Sequence, residues 1–185
     1  MRRLRQGGGR EGSRIGGDDG RLRGDRQDRL SAVARGAGPY GGAGDGLPHA
    51  APFRFLDRVT ALDGRGGSAE KLVTADDPLM GAGGGGYALA RLMAIEALAQ
   101  LAGLAAAAGA EDRSEGDGAY LAGLDSVRFG APLRAGDLLR LDVAVEARLG
   151  PVVRASGRAS VRGETVLRAD LVMALGGPAT AGGGR

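Results

Sequence analysis

The stretch that decides the fold is residues 87–109, YALARLMAIEALAQLAGLAAAAG. Its large apolar residues lie all round a helix rather than along one stripe; they are Leu89, Leu92, Met93, Ile95, Leu98, Leu101 and Leu104. A helix of this kind is buried on most of its sides. Gly109 is suited to the C-terminal cap. The pattern therefore predicts one long buried helix from Tyr87 to about Ala108.

Segments of alternating polarity on both sides of this helix predict strands. After the helix, the period of two runs through residues 138–146, 152–161 and 167–175, with short turns that force antiparallel neighbours. Before the helix, residues 53–63 and 67–75 form two more predicted strands, joined by a Gly-rich hairpin turn. These elements predict an α+β fold, an antiparallel sheet wrapped around one long central helix.

The first 46 residues differ in composition and net charge from the rest of the chain. Residues 1–46 are rich in Gly and hold ten Arg against six Asp and Glu, a net of +4. The whole chain has 25 basic and 22 acidic residues, so the remainder has 15 and 16, a net of −1. Such an extension is predicted to be disordered, or to result from a start codon assigned too early. The predicted domain spans residues 47–175, followed by a flexible tail over 176–185.

Several classes of function are excluded by composition. The chain has no Cys and a single His, so neither thiolate nor multi-histidine metal sites are expected, and no cofactor is predicted. The balanced charge after residue 46 argues against a nucleic-acid partner. Arg91 and Glu96 interrupt the apolar segment, which makes it a poor membrane span. We therefore expect a soluble, cytoplasmic protein without a membrane partner.

Three motifs occur in a defined order along the chain. They are LPH at 47–49 with PF at 52–53 and LDRV at 56–59; IEALAQ at 95–100 with AG at 102–103; and YLAGLD at 120–125 with RF at 128–129. The series resembles that of the β-hydroxyacyl-acyl carrier protein dehydratases, the FabZ/FabA-like family. The resemblance implies a hotdog fold.

That family removes water from a 3-hydroxyacyl thioester. A His takes the C2 proton, a carboxylic acid on the helix helps the hydroxyl to leave, and a backbone N–H at the helix start holds the thioester carbonyl. The resemblance makes Glu96 the retained acid. Glu96 is expected inside the apolar helix, with Gln100 as its neighbour at i+4 and Arg91 on another face.

The family's His lies fourteen residues before the Glu, a position occupied here by Ala82. Because alanine takes up no proton, the resemblance implies weak or absent turnover by the chain alone. His49 belongs to the opening motif, where the implied role is structural. The residues expected to bind substrate are Gly85, Gly86, Tyr87, Gln100 and Phe129.

The resemblance implies thioesters of acyl carrier protein or coenzyme A as ligands, and a homodimer or a heterodimer with another hotdog protein. Two alternatives remain open. One is a hotdog thioesterase that uses Glu96, and the other is a non-catalytic subunit beside an active paralogue. A dinucleotide fingerprint over residues 81–86 is disfavoured, because Ala106 stands where an acidic ribose ligand is expected and the following strands are antiparallel.

Overall fold

The computed structural model describes residues 47, 49, 52–77, 86–110 and 118–176, except for the side chains of residues 86–89. Its elements are β1 Arg58–Asp63, β2 Gly66–Leu72, α1 Gly86–Ala108, β3 Gly118–Phe129, β4 Leu138–Leu149, β5 Val152–Val161 and β6 Glu164–Gly176. The strands form one antiparallel sheet in the order β1-β2-β4-β5-β6-β3. Since α1 contacts every strand, the sheet wraps the helix, and the predicted hotdog arrangement is confirmed.

The core lies between the helix and the inner face of the sheet. Leu139, Leu141 and Val143 on β4 alternate inward and are fully buried, as the period of two predicts. Burying a side chain of this size stabilises the fold by about 1.5–3 kcal/mol. On β5, Gly157 lets the helix approach closely, because a Cβ there would lie 3.1 Å from a methyl of Leu98.

The first two strands are shorter than predicted. Residues 53–57 do not belong to β1, because the Gln100 side chain bonds the backbone of Phe53 and Phe55. β2 ends at Leu72, since the next residue, Val73, exchanges backbone hydrogen bonds with the turn at residues 136–137.

The helix is buried as its composition predicts, and it ends where predicted. By length and mean hydropathy alone, Ala90–Ala108 could cross a membrane, yet 72% of that window is buried inside the protein, as in the core helix of a soluble fold. Arg148 of β4 binds carbonyls of the last turn: its guanidinium donates to Ala106 O at 3.0 Å, and to Ala105 O at 3.1 Å beside the backbone hydrogen bond from Gly109 N.

Other predictions about the chain's organisation fall outside the described residues. These are the disordered extension over 1–46 and the tail after Gly176, and both stay predictions. β6 continues to Gly176, one residue beyond the predicted domain boundary.

Candidate active site

Glu96 lies on the side of α1 that the sheet leaves open. Leu92, one turn earlier on the same face, is 54% exposed, and the Glu96 side chain is 39% exposed, whereas Leu98 is fully buried. The expectation that Glu96 lies inside the apolar helix is therefore wrong for the single chain. The carboxylate is half-buried, beside apolar surface, and accessible to a ligand.

Gln100 fixes the Glu96 carboxylate and ties the helix to the segment before β1. Its Nε2 donates to Glu96 Oε1 at 3.1 Å and to Phe53 O at 2.7 Å, and its Oε1 accepts from Phe55 N at 3.0 Å. The backbone N–H of Phe55 requires an acceptor, which determines the orientation of the amide. The predicted i+4 pairing is confirmed. Both polar atoms of Gln100 are occupied, and the side chain is 3% exposed.

The structure also brings His49 to this site. Its Nε2 lies 3.7 Å from Glu96 Oε1, and the two side chains are 37% and 39% exposed. An imidazole of the same chain therefore lies beside Glu96, although the family's position for it is occupied by Ala82. Sequence reasoning missed His49 as a site residue because it assigned the opening motif a structural role. The available signal was that His49 is the single histidine of the chain.

The remaining predicted site residues do not join this cluster in the described part of the chain. Ala82 and Gly85 lie outside the described residues. Gly86 and Tyr87 form the start of α1, and the Tyr87 side chain is not described. Phe129 ends β3, is 42% exposed, and lies under the guanidinium of Arg91, 5.1 Å from ring centroid to Cζ. Arg91 thus points away from Glu96, as predicted.

The start of the helix is distant from Glu96. Gly86 and Glu96 are ten residues apart, which is about 15 Å along a helix axis. In one acyl group, only C2 lies between the thioester carbonyl carbon and C3, the carbon that bears the hydroxyl. One acyl group therefore cannot contact both the helix start and Glu96 of the same chain, and a carbonyl donor at Glu96 has to come from another segment or another chain.

Among the residues that the structure describes, no group of three or more His, Asp or Glu side chains is arranged to hold a metal ion. The residues that meet at Glu96 are an amide, an imidazole and a carboxylate. This set is suited to moving protons and to accepting hydrogen bonds.

Comparison with known proteins identifies the family. The model of the FabA-like domain matches residues 47–170. This chain belongs to the FabA-like family. A curated relative, the 3-hydroxyacyl-[acyl-carrier-protein] dehydratase FabZ of Roseiflexus sp. (strain RS-1), is 36% identical over 131 residues, which cover 70% of this chain and 90% of the relative.

Solved structures confirm the fold of this FabA-like protein. The dehydratase heterocomplex ApeI:P from Xenorhabdus doucetiae aligns with a TM-score of 0.57 at 21% identity, over 69% of this chain and 86% of that one. A Streptococcus mutans protein bound to acetyl CoA aligns with a TM-score of 0.51 at 18% identity, over 72% of this chain and 98% of that one. At these identities the likeness establishes the hotdog fold.

Proposed function

We propose that this FabA-like protein binds 3-hydroxyacyl thioesters at the open face of α1 and is a weak dehydratase, or an inactive one, on its own. The observation that carries the proposal is the half-buried carboxylate of Glu96, held at 3.1 Å by Gln100 beside the exposed side chain of Leu92. The curated relative, whose name specifies 3-hydroxyacyl-acyl carrier protein, supports the substrate class.

Dehydration needs two protein groups at adjacent carbons. A base removes the C2 proton, and an acid protonates the hydroxyl on C3 as the C–O bond breaks. Glu96 is the acid in this proposal. Ala82 leaves the family's base position without a proton acceptor, and the loss of one such group lowers a rate by about 10²–10⁴-fold.

The acyl group is carried by acyl carrier protein or coenzyme A in this proposal. Its apolar chain lies along Leu92 and the partly buried Ile95, on the same open face as Glu96. No cofactor is required, because elimination of water is a proton transfer without net oxidation.

A second subunit completes the proposed site. β3 is an edge strand of the sheet that the described residues form, and no described strand pairs with its outer side. It carries four exposed large hydrophobic residues; they are Tyr120, Leu121, Leu124 and Phe129. Pairing of β3 with another hotdog sheet, in a homodimer or a heterodimer, would cover them, and would supply groups that the helix start of the same chain is too distant to provide.

A binding measurement and an activity measurement test the proposal together. A thioester that binds the native state at one hundred times its Kd stabilises it by about 2.7 kcal/mol. For a domain of this size we expect a rise in Tm of roughly 10 °C. The probes are 3-hydroxyacyl-CoA and 3-hydroxyacyl carrier protein of several chain lengths, with saturated acyl-CoA as the comparison. No rise in Tm with any probe would support the non-catalytic subunit instead.

The introduction of the missing base makes the activity test sharper. We expect Ala82→His to raise the rate of enoyl thioester formation by about 10²-fold or more, since it places an imidazole at the family's position. Ala82→Gln is the matched control, because it adds a polar side chain that takes up no proton. Rapid turnover by the unmodified chain would overturn the proposal that it is weak.

Thioester hydrolysis is the second candidate function. The accessible Glu96 carboxylate, with an imidazole 3.7 Å away, also suits activation of a water molecule. Release of free thiol from acyl-CoA, abolished in Glu96→Gln, would establish this activity. Enoyl formation without thiol release would exclude it in favour of dehydration.

A further inference from the structure

We propose that His49 abstracts the C2 proton in the weak dehydration proposed above, at a different position from the imidazole missing at Ala82. The inference rests on the proposed function, because it assigns a base to the same substrate. It starts from one distance: Nε2 of His49 lies 3.7 Å from Oε1 of Glu96, within a single chain.

The imidazole does not contribute hydrogen bonds that hold the fold. Its Nδ1 is buried and has no hydrogen-bond partner in the structure, and its Nε2 is slightly beyond hydrogen-bond distance of Glu96. A histidine with a purely structural role has its ring nitrogens paired, because unpaired buried polar atoms are unfavourable. No hydrogen bond therefore engages either nitrogen, and Nε2, on the side of Glu96, is the nitrogen placed to take up a proton from a ligand.

Neighbouring residues position His49 from both sides. Leu47 packs against the hydrophobic core on one side. On the other side, Gln100 clamps Phe53 and Phe55 to the helix, at 2.7 and 3.0 Å. His49 lies between these two anchors in the chain. His49 is thus held beside Glu96 by contacts that the imidazole itself does not make.

The two side chains meet the needs of an elimination. His49 and Glu96 are each more than a third exposed, so both are accessible to one acyl group. The C2 proton and the C3 hydroxyl are on adjacent carbons, which suits two groups a few ångströms apart. Neither a metal nor an external oxidant is required.

The step balances within this pair. Neutral His49 takes the C2 proton, and the electrons of that C–H bond pass into an enolate of the thioester. The enolate electrons then form the C2–C3 double bond, and the C–O bond breaks as protonated Glu96 gives its proton to the departing hydroxyl. The products are the enoyl thioester and water, with an imidazolium beside a carboxylate. Transfer of the proton from His49 to Glu96 restores the starting state, and their proximity makes this transfer direct.

Isotope exchange separates the base from the acid. In D₂O, exchange of the C2 hydrogen of a 3-hydroxybutyryl thioester of coenzyme A needs the base alone, whereas formation of the enoyl thioester needs both groups. We expect His49→Ala to lower both rates by about 10²-fold or more. We expect Glu96→Gln to lower enoyl formation while exchange continues. Glu70→Gln is the matched control, because Glu70 pairs with Arg58 on the sheet at 2.7 Å.

Chemical rescue distinguishes catalysis from structure. Imidazole added to His49→Ala restores exchange if the lost group is a base, and a structural role would leave the rate unchanged. His49→Gln serves as a second variant if the alanine variant folds poorly. Because the chain has one histidine, the imidazole proton signal in its NMR spectrum can belong only to His49. This signal should shift in Glu96→Gln but not in Glu70→Gln.

The outcomes distinguish this inference from the function on which it rests. If no 3-hydroxyacyl thioester raises the Tm of the full chain, the proposed function fails. If the thioester binds and exchange in His49→Ala and His49→Gln equals that of the unmodified chain, His49 is not the base and the inference alone is overturned. Binding with no exchange by the unmodified chain overturns it as well.

Discussion

Replacement of Gln100 by leucine tests how the helix holds the segment before β1. The change keeps the side chain's approximate volume and removes three hydrogen bonds, those to Phe53 O, Phe55 N and Glu96 Oε1. The lost bonds differ in consequence, because Phe55 is 2% exposed and Phe53 is 60% exposed. The N–H of Phe55 therefore loses its partner away from water, while the carbonyl of Phe53 can turn to solvent.

The magnitude follows from these exposures. An unsatisfied buried N–H is unfavourable by about 1–3 kcal/mol, and a hydrogen bond exchanged for one to water by about 0.5–1.5 kcal/mol. Leucine recovers about 1 kcal/mol by burying apolar surface at a site that is almost closed. We expect a net loss of about 1–3 kcal/mol in the free energy of unfolding, which is roughly 4–12 °C in Tm for a domain of this size.

Urea unfolding and amide hydrogen exchange measure the effect. We expect faster exchange at the amide of Phe55 in Gln100→Leu, with little change at Leu141 in the sheet. Glu96→Gln is the control, because its amide oxygen still accepts from Gln100, and its stability should lie within about 0.5 kcal/mol of the unmodified chain. A Gln100→Leu protein of unchanged stability, with Phe55 still protected, would refute the reasoning.

Three further substitutions test other parts of the fold by urea unfolding. Arg148→Met removes donors to two carbonyls in the last turn of α1, at 3.0 and 3.1 Å, and should lower stability by about 1–2 kcal/mol. Lys71→Met removes the ammonium group that lies 2.9 Å from the Asp77 carboxylate, and only 10% of the Asp77 side chain is exposed. We expect the free energy of unfolding to fall by about 3 kcal/mol, and the added substitution Asp77→Asn to restore part of it. Gly157→Val forces atoms into Leu171 and Leu98, whose methyl groups lie 2.9 and 3.1 Å from a Cβ at this position, and should lower stability by about 1–3 kcal/mol. An effect below 0.5 kcal/mol would contradict each assignment.

The helix and the later strands could be predicted from the sequence because their apolar periodicity depends only on residues near one another in the chain. The predicted helix ends at Ala108 in the structure, and β5 matches its predicted limits at Val152 and Val161. The pairing of Glu96 with Gln100 was also predictable, because residues four apart on a helix are neighbours. The first strand was predicted too long because a side chain, and not another strand, bonds residues 53 and 55.

The sequence by itself determined the family, the buried helix and the acid on it, because motif order and periodicity are properties of neighbouring residues. Only the tertiary structure decided which side of the helix stays open and what lies there. The sequence of an apolar helix does not indicate which side the sheet will leave uncovered, so the exposure of Glu96 could not be predicted. The approach of His49 to Glu96 joins residues far apart in the chain, with Leu47 packed on the core and Phe53 held by Gln100, and sequence separation carries no information about that distance.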